Sequence, residues 1–216
     1  MAIIKVKICG VTDEAAVKTA VDNGAEYIGF VFFSGSPRNV TPSQAEKISK
    51  SIPAKIKKVA VVVDPDDKSL AEIIAKLNPD YIQLHGSETL ERTKDIKNKF
   101  GAKVIKAVKV RSSDDVARGQ AFQNVADMLL FDARPSDSMP EALPGGNGVS
   151  FDWQLLKGRE FTIPWILSGG LNSDNIAEAV RITGAKIVDV SSSLEIRPGI
   201  KEPKLIKEFL HVVKEI

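Results

Sequence analysis

One cysteine, two histidines and no apolar run near the ~20 residues of a membrane helix are found in the 216-residue sequence. Each scarcity excludes something. A single cysteine, Cys9, cannot form an intramolecular disulfide, which fits a reducing cytoplasm better than secretion. The two histidines, His85 and His211, with scattered aspartates, do not make a dedicated transition-metal site. Charge of one sign is also missing. The 30 basic and 28 acidic residues leave a net charge of +2 with no electrostatic footprint for nucleic acid. The chain opens directly on strand-like sequence, without an apolar stretch followed by a cleavage site. There is no P-loop, no Ser-His-acid motif and no internal repeat beyond a shared architecture. The expectation is a cytoplasmic protein with neither nucleic acid nor membrane as partner.

What is present is ordinary soluble composition, 43% hydrophobic and 27% charged, arranged in alternating β-branched runs and helix-periodic stretches. The strand candidates are Ile3–Ile8, Tyr27–Phe32, Lys58–Val63, Tyr81–Leu84, Lys103–Val108, Met128–Phe131, Thr162–Leu167 and Lys186–Val190. Between them, Thr41-Pro42-Ser43-Gln44 reads as a capping box with proline at the first helical position. Ala15–Val21 ends at Asn23-Gly24, Glu88–Phe100 at Gly101 and Ala177–Thr183 at Gly184, glycines suited to left-handed caps. Eight such units fill the chain and predict one closed (β/α)8 barrel domain over residues 1–216. A doubly wound open sheet is the alternative, but it commonly carries a glycine-rich fingerprint after its first strand, where this chain has Cys9-Gly10-Val11-Thr12.

Barrel active sites are built at the C-terminal ends of the strands. The predicted exits are Cys9, Ser36-Pro37-Arg38, Asp64, His85-Gly86, Lys109, Asp132, Ser168-Gly169-Gly170 and Ser191-Ser192-Ser193, nearly all polar. The last two fall where this fold usually holds phosphate, and their glycines and hydroxyls let backbone amides approach an anion; tight turns would use the same residues. Gly145-Gly146-Asn147-Gly148 permits a loop that closes over a ligand and adds amides, or simply a turn. Arg38 suits a carboxylate or phosphate, or solvent.

Strand alternation puts Lys7 on the same face as Cys9, with Val6 and Ile8 on the other. A thiol has a pKa of about 8.5 unperturbed, and a neighbouring ammonium raises its thiolate fraction; Lys7 could thus make Cys9 a usable base, or could balance Asp64, Asp132 or Asp189. A lone thiol is also common core filler. Asp132, closing the apolar run Met128–Phe131, is expected at the rim, where a desolvated carboxyl could keep its proton and serve as an acid. His85 is expected to be a hydrogen-bonding rim residue.

Taken in order, Lys7-Ile8-Cys9-Gly10, Gly29-Phe30-Val31-Phe32 with Ser36-Pro37-Arg38, Gln83-Leu84-His85-Gly86, Leu130-Phe131-Asp132, Gly145–Gly148 with Phe151-Asp152-Trp153, Ser168-Gly169-Gly170-Leu171 and Val188–Ser192 span nearly the whole chain. As a set they resemble the phosphoribosylanthranilate isomerase family of tryptophan biosynthesis. The resemblance implies a barrel with a phosphate site of the ribulose-phosphate-binding type. It also implies an Amadori rearrangement of N-(5-phosphoribosyl)anthranilate to 1-(2-carboxyphenylamino)-1-deoxyribulose 5-phosphate, without metal or organic cofactor. By motif, Asp132 is implied as general acid and Cys9 as general base. Arg38 is implied as partner of the anthranilate carboxylate, with Lys7, His85 and Asp189 also at the substrate. Gly146, Asn147, Gly148, Ser168, Gly169, Gly170, Ser191, Ser192 and Ser193 are implied as the phosphate cradle, in a monomer or homodimer. Two positions depart from the family: Ser193 replaces a customary glycine, costly if φ there is positive, and Asn147 replaces Thr or Ser. The rival readings are another phosphosugar isomerase or epimerase, or a noncatalytic phosphosugar-binding barrel. The first would want more histidines or paired aspartates, and the second would give Cys9 and Asp132 no joint purpose.

Overall fold

A computed structural model describes residues 3–134 and 145–216 of the chain. Eight parallel strands, β1 (Lys5–Cys9), β2 (Tyr27–Phe32), β3 (Lys57–Val62), β4 (Tyr81–Leu84), β5 (Lys103–Val110), β6 (Met128–Ala133), β7 (Trp165–Leu167) and β8 (Ile187–Val190), close into a barrel in sequence order. Closure is made by β1 against β8, with Lys7 in register with Asp189. The period-2 pattern sorts the side chains into two cores. Val59, Val61, Ile105, Ala107, Met128, Leu130 and Ile166 fill the barrel, whereas Val6, Ile8, Ile28, Phe30 and Phe131 pack outward against helices.

The helices are α1 (Glu14–Asp22), α2 (Pro42–Ile48), α3 (Asp67–Leu77), α4 (Leu90–Phe100), α5 (Ser113–Gln120), α6 (Ile176–Thr183) and α7 (Pro203–Lys214). The Thr41 capping box forms as expected, and Gly101 and Gly184 end α4 and α6 in left-handed conformation. Among the described residues no helix is long and apolar enough to cross a membrane.

After β6 the described residues carry a 3-10 turn, Trp153–Leu156. Several element bounds differ from expectation. β7 begins at Trp165 rather than Thr162, because Pro164 has no N–H to give the ladder. β5 and β6 run further than predicted and take Lys109 and Asp132 into the strands. Helix α4 starts at Leu90 with Thr89 as cap, which releases Glu88 to turn inward. A hairpin absent from the sequence reading, β9 (Glu195–Arg197) with β10 (Ile200–Lys201), follows β8.

Candidate active site

The wall formed by β1 and β8 carries a buried ion pair. Lys7 is 0% exposed and donates from Nζ to Asp189 Oδ1 at 2.9 Å; the other carboxylate oxygen accepts from Ser168 Oγ at 3.2 Å. Cys9 points to the same interior as predicted, one strand repeat nearer the mouth. Gly29 of β2 makes the room: a Cβ there would stand 3.0 Å from Cys9 Sγ and 3.1 Å from Lys7 Nζ. Burial pushes the Cys9 thiol up; Lys7 opposes this, Asp189 adds to it, and the balance stays above the ordinary thiol range. The expected influence of Lys7 therefore exists but is outweighed, because the thiol is dry and Asp189 partly cancels the ammonium. Lys7 itself would be lowered by burial, but Asp189 and then Cys9 hold it charged, above its usual range.

Across the barrel, Asp132 is buried on the interior face of β6. Its Oδ1 accepts from the Ala133 amide at 2.9 Å, and its Oδ2 lies 3.2 Å from His85 Nε2. The Nδ1 of His85 faces Gln83 Nε2 at 2.8 Å. Gly145 closes over this pair so tightly that a Cβ would stand 2.6 Å from His85 Nε2. Behind the strand, Lys106 donates to Leu84 O at 3.4 Å, Gly86 O at 2.9 Å and Glu88 Oε2 at 2.6 Å. Glu88 in turn accepts from the Asp64 and Gly86 amides. The backbone on both sides of His85 is thereby clamped.

Arg38 is neither exposed nor unengaged. Its Nε and Nη2 donate to Glu195 Oε1 and Oε2 at 2.8 and 2.9 Å, a bidentate pair that orients the guanidinium. Lys201 joins at Glu195 Oε1, 2.6 Å, and also donates to Ser191 O and Oγ. Ser191 Oγ donates to Cys9 O at 3.0 Å. Burial pushes the Glu195 carboxyl up, but Arg38 and Lys201 prevail and hold it below its usual range. Gly146 approaches the other side of Arg38, where a Cβ would stand 2.5 Å from Nη1.

The remaining rim is glycine and hydroxyl. Gly169 and Gly170 have φ of 91° and 62°, and a Cβ on Gly170 would meet Ser150 N at 2.9 Å. Ser193 is not among the positive-φ residues, so its replacement of glycine costs no backbone strain. Its hydroxyl donates to Leu171 O at 2.6 Å.

One cavity is lined by Cys9, Arg38, His85, Asp132, Gly145 to Gly148, Ser168 to Gly170, Asp189, Ser191 and Ser192. Most of the predicted site residues therefore share it. Lys7 lies beneath the lining and Ser193 beside it. Sequence reasoning missed Glu195 and Lys201 as holders of Arg38, Gly29 as the space over the thiol, and Gln83 as partner of His85. Among the described residues no group of three or more His, Cys, Asp or Glu side chains is gathered to hold a metal.

A thiol and a carboxyl thus face one cavity at the strand ends of a (β/α)8 barrel, with the glycine and serine turns after β7 and β8 on its rim, the place where enzymes of this fold hold their active sites. The model of the N-(5'phosphoribosyl)anthranilate (PRA) isomerase family matches residues 6–212. The N-(5'-phosphoribosyl)anthranilate isomerase of Parvibaculum lavamentivorans is 48% identical over 211 residues, 98% of each chain. That of Rhodospirillum centenum is 48% identical over 207 residues, 96% of each. The crystal structure of phosphoribosyl anthranilate isomerase from Thermotoga maritima superposes with a TM-score of 0.87 at 31% identity, covering 99% of this chain and 100% of that one. Another phosphoribosyl anthranilate isomerase structure, in complex with reduced 1-(o-carboxyphenylamino)-1-deoxyribulose 5-phosphate, gives 0.84 at 31%, with the same coverage. The chain belongs to the phosphoribosylanthranilate isomerase family, and its function is that isomerisation in tryptophan biosynthesis.

Proposed function

We propose that Asp132 and Cys9 divide the proton transfers of N-(5-phosphoribosyl)anthranilate isomerisation between the two walls of the cavity. Asp132 gives its proton to the ribose ring oxygen. The C1–O bond breaks, and the anthranilate nitrogen supplies the electron pair for a C1=N Schiff base. Cys9, as thiolate, takes the proton from C2; the C2–H electrons form C1=C2 and neutralise the iminium, giving an enolamine. Protonation at C1 and loss of the C2 hydroxyl proton leave the ketone. Atoms and electrons balance within the substrate, and no redox partner is required.

Arg38, held by Glu195 and against Gly146, presents its guanidinium to the anthranilate carboxylate. The amides and hydroxyls of Gly146 to Gly148, Ser168 to Gly170, Ser191 and Ser192 receive the phosphate, with Ser193 bracing the turn through Leu171. Lys7 and Asp189 act on the substrate through Cys9 and Ser168, and His85 through Asp132. The observation that carries this reading is the placement of Cys9 and Asp132 on the interior face of β1 and β6, lining one cavity. The lone reduced thiol supports a cytoplasmic enzyme, acting as a monomer or homodimer.

The test generates the labile substrate in situ and follows its loss with purified protein. Cys9→Ala and Asp132→Asn are each expected to lower kcat by about 10³-fold or more, while still binding the reduced product analogue. Wild-type turnover in either variant sinks the assigned roles.

A further inference from the structure

Gln83 is fully buried on the interior face of β4, and its Oε1 is one of two buried side-chain polar atoms without a partner among the described residues. Its other end is committed. Nε2 lies 2.8 Å from His85 Nδ1, and His85 Nε2 lies 3.2 Å from Asp132 Oδ2. An amide nitrogen can only donate, so His85 Nδ1 must accept, and the ring proton is left on Nε2, aimed at Asp132. Rotating the amide by half a turn would present Oε1 to Nδ1, demand a proton there, and turn Nε2 into an acceptor. Either orientation leaves one amide end unpaired. The observed orientation, with Nε2 toward Nδ1, is the one that leaves a proton on His85 Nε2 for Asp132.

That choice has a chemical consequence at Asp132. With His85 donating to Oδ2 and the Ala133 amide donating to Oδ1, both carboxyl oxygens already accept, and the acid proton must lie on a lone pair that neither donor uses. It is then free for the substrate. When it leaves, two N–H groups already face the new charge, which is how preorganised donors accelerate a step. With the opposite tautomer the acid proton would be held by the imidazole lone pair, and the carboxylate would lose one donor. Other charged groups face this pair from β1 (Cys9, with Lys7 beneath), the β2 exit (Arg38) and β8 (Asp189), and on β5 Lys109 stands in register beside Asp132. Lys106 and Glu88 hold the backbone around His85 rather than its ring.

We propose that Gln83 is a positioning residue that fixes His85 as its Nε2–H tautomer, so that the imidazole donates to Asp132 as the carboxyl gives up its proton. No proton moves through His85; it supplies a fixed dipole. The inference rests on the reading of Asp132 as the general acid.

The chain has only two histidines, so nitrogen NMR of protein labelled in histidine reads the tautomer directly, and His211→Gln assigns the signals. The decisive background is Asp132→Asn, in which position 132 no longer demands a donor. There His85 is expected to keep a protonated Nε2 and a bare Nδ1, and to lose that preference when Gln83→Met is added. In otherwise wild-type protein, Gln83→Met is expected to lower kcat about tenfold, the scale of one weakened donor. Its pH–kcat profile should move while KM changes little. A protonated Nδ1 in Asp132→Asn protein, an unchanged tautomer in the double variant, or unaltered kcat and pH profile in Gln83→Met would each overturn the inference. Full turnover by Asp132→Asn with the expected tautomer present would instead overturn the acid assignment, so the two failures are distinguishable.

Discussion

The two walls of the cavity tune their reactive groups by different means. On the β1–β8 wall the thiol of Cys9 sits among full charges: Lys7 paired with Asp189 below it, and Lys201, Glu195 and Arg38 linked to its carbonyl through Ser191. On the β4–β6 wall, Asp132 meets the His85 imidazole, itself against Gln83, and the influence of this pair depends on which ring atom carries a hydrogen. Charges act through space and tolerate small displacements, whereas a hydrogen-bond chain acts only through its direction. A base that must become an anion in a dry cavity needs a cation nearby. An acid needs its proton aimed.

Among the groups that support the two reactive side chains, the largest effect is expected from removing the cation. Lys7→Met strands Asp189 as an unpaired buried charge, at a cost of about 3–5 kcal/mol measured by denaturant unfolding. It should also lower kcat/KM by about 10²-fold. Cys9 is the only cysteine, so its thiolate absorbance can be titrated cleanly. In wild type the midpoint should lie above the ordinary value of about 8.5. The sign follows from the causes: loss of Lys7 removes a lowering influence and moves the midpoint further up, while Asp189→Asn removes a raising one and moves it down. Below the midpoint the thiolate fraction grows about tenfold per pH unit. A midpoint indifferent to both variants would dissolve the contrast between the walls.

A smaller effect tests geometry without changing charge. Gly29→Ala places a methyl 3.0 Å from Cys9 Sγ, so the thiol or the ammonium must move. Expected are a fall in kcat of about 10–10²-fold and a stability loss of about 1–3 kcal/mol. Wild-type kcat would show that the position of the thiol is not critical. Next, Glu195→Gln keeps the shape but weakens the hold on Arg38, and KM should rise about tenfold with kcat less changed, the split of a binding residue. A fall confined to kcat would place Glu195 with the thiol instead. Smallest is Ser193→Gly, which removes the hydrogen bond to Leu171 O: about 1 kcal/mol in thermal or denaturant unfolding, with KM within about twofold. A large KM change would return Ser193 to the phosphate contacts.

Much of this arrangement is legible in the sequence. The alternation that set Lys7 and Cys9 against Val6 and Ile8 holds, because the pleat leaves a strand residue only two faces. The glycine and serine turns after β7 and β8 line the cavity because the fold directs those loops there. What could not be read were pairings between distant segments. Arg38 and Glu195 are 157 residues apart, and Glu195 sits on a hairpin too short for any periodic signal. Glu88 read as the start of a helix because its local pattern is helical; the Thr89 cap and the buried Lys106 turned it inward. The influence of Lys7 on Cys9 could be read, but the opposing weight of burial and Asp189 could not, since both are properties of the assembled barrel.

The lone thiol, the shortage of histidine, the βα rhythm and the ordered motifs were determined by the sequence by itself, because composition and short-range period need no partner to be read. Tertiary structure alone decided which charge lies under the thiol, which carboxylate holds Arg38, and which end of Gln83 meets His85. Those outcomes depend on desolvation and on contacts between strands closed into a ring, quantities that do not exist until the chain has folded.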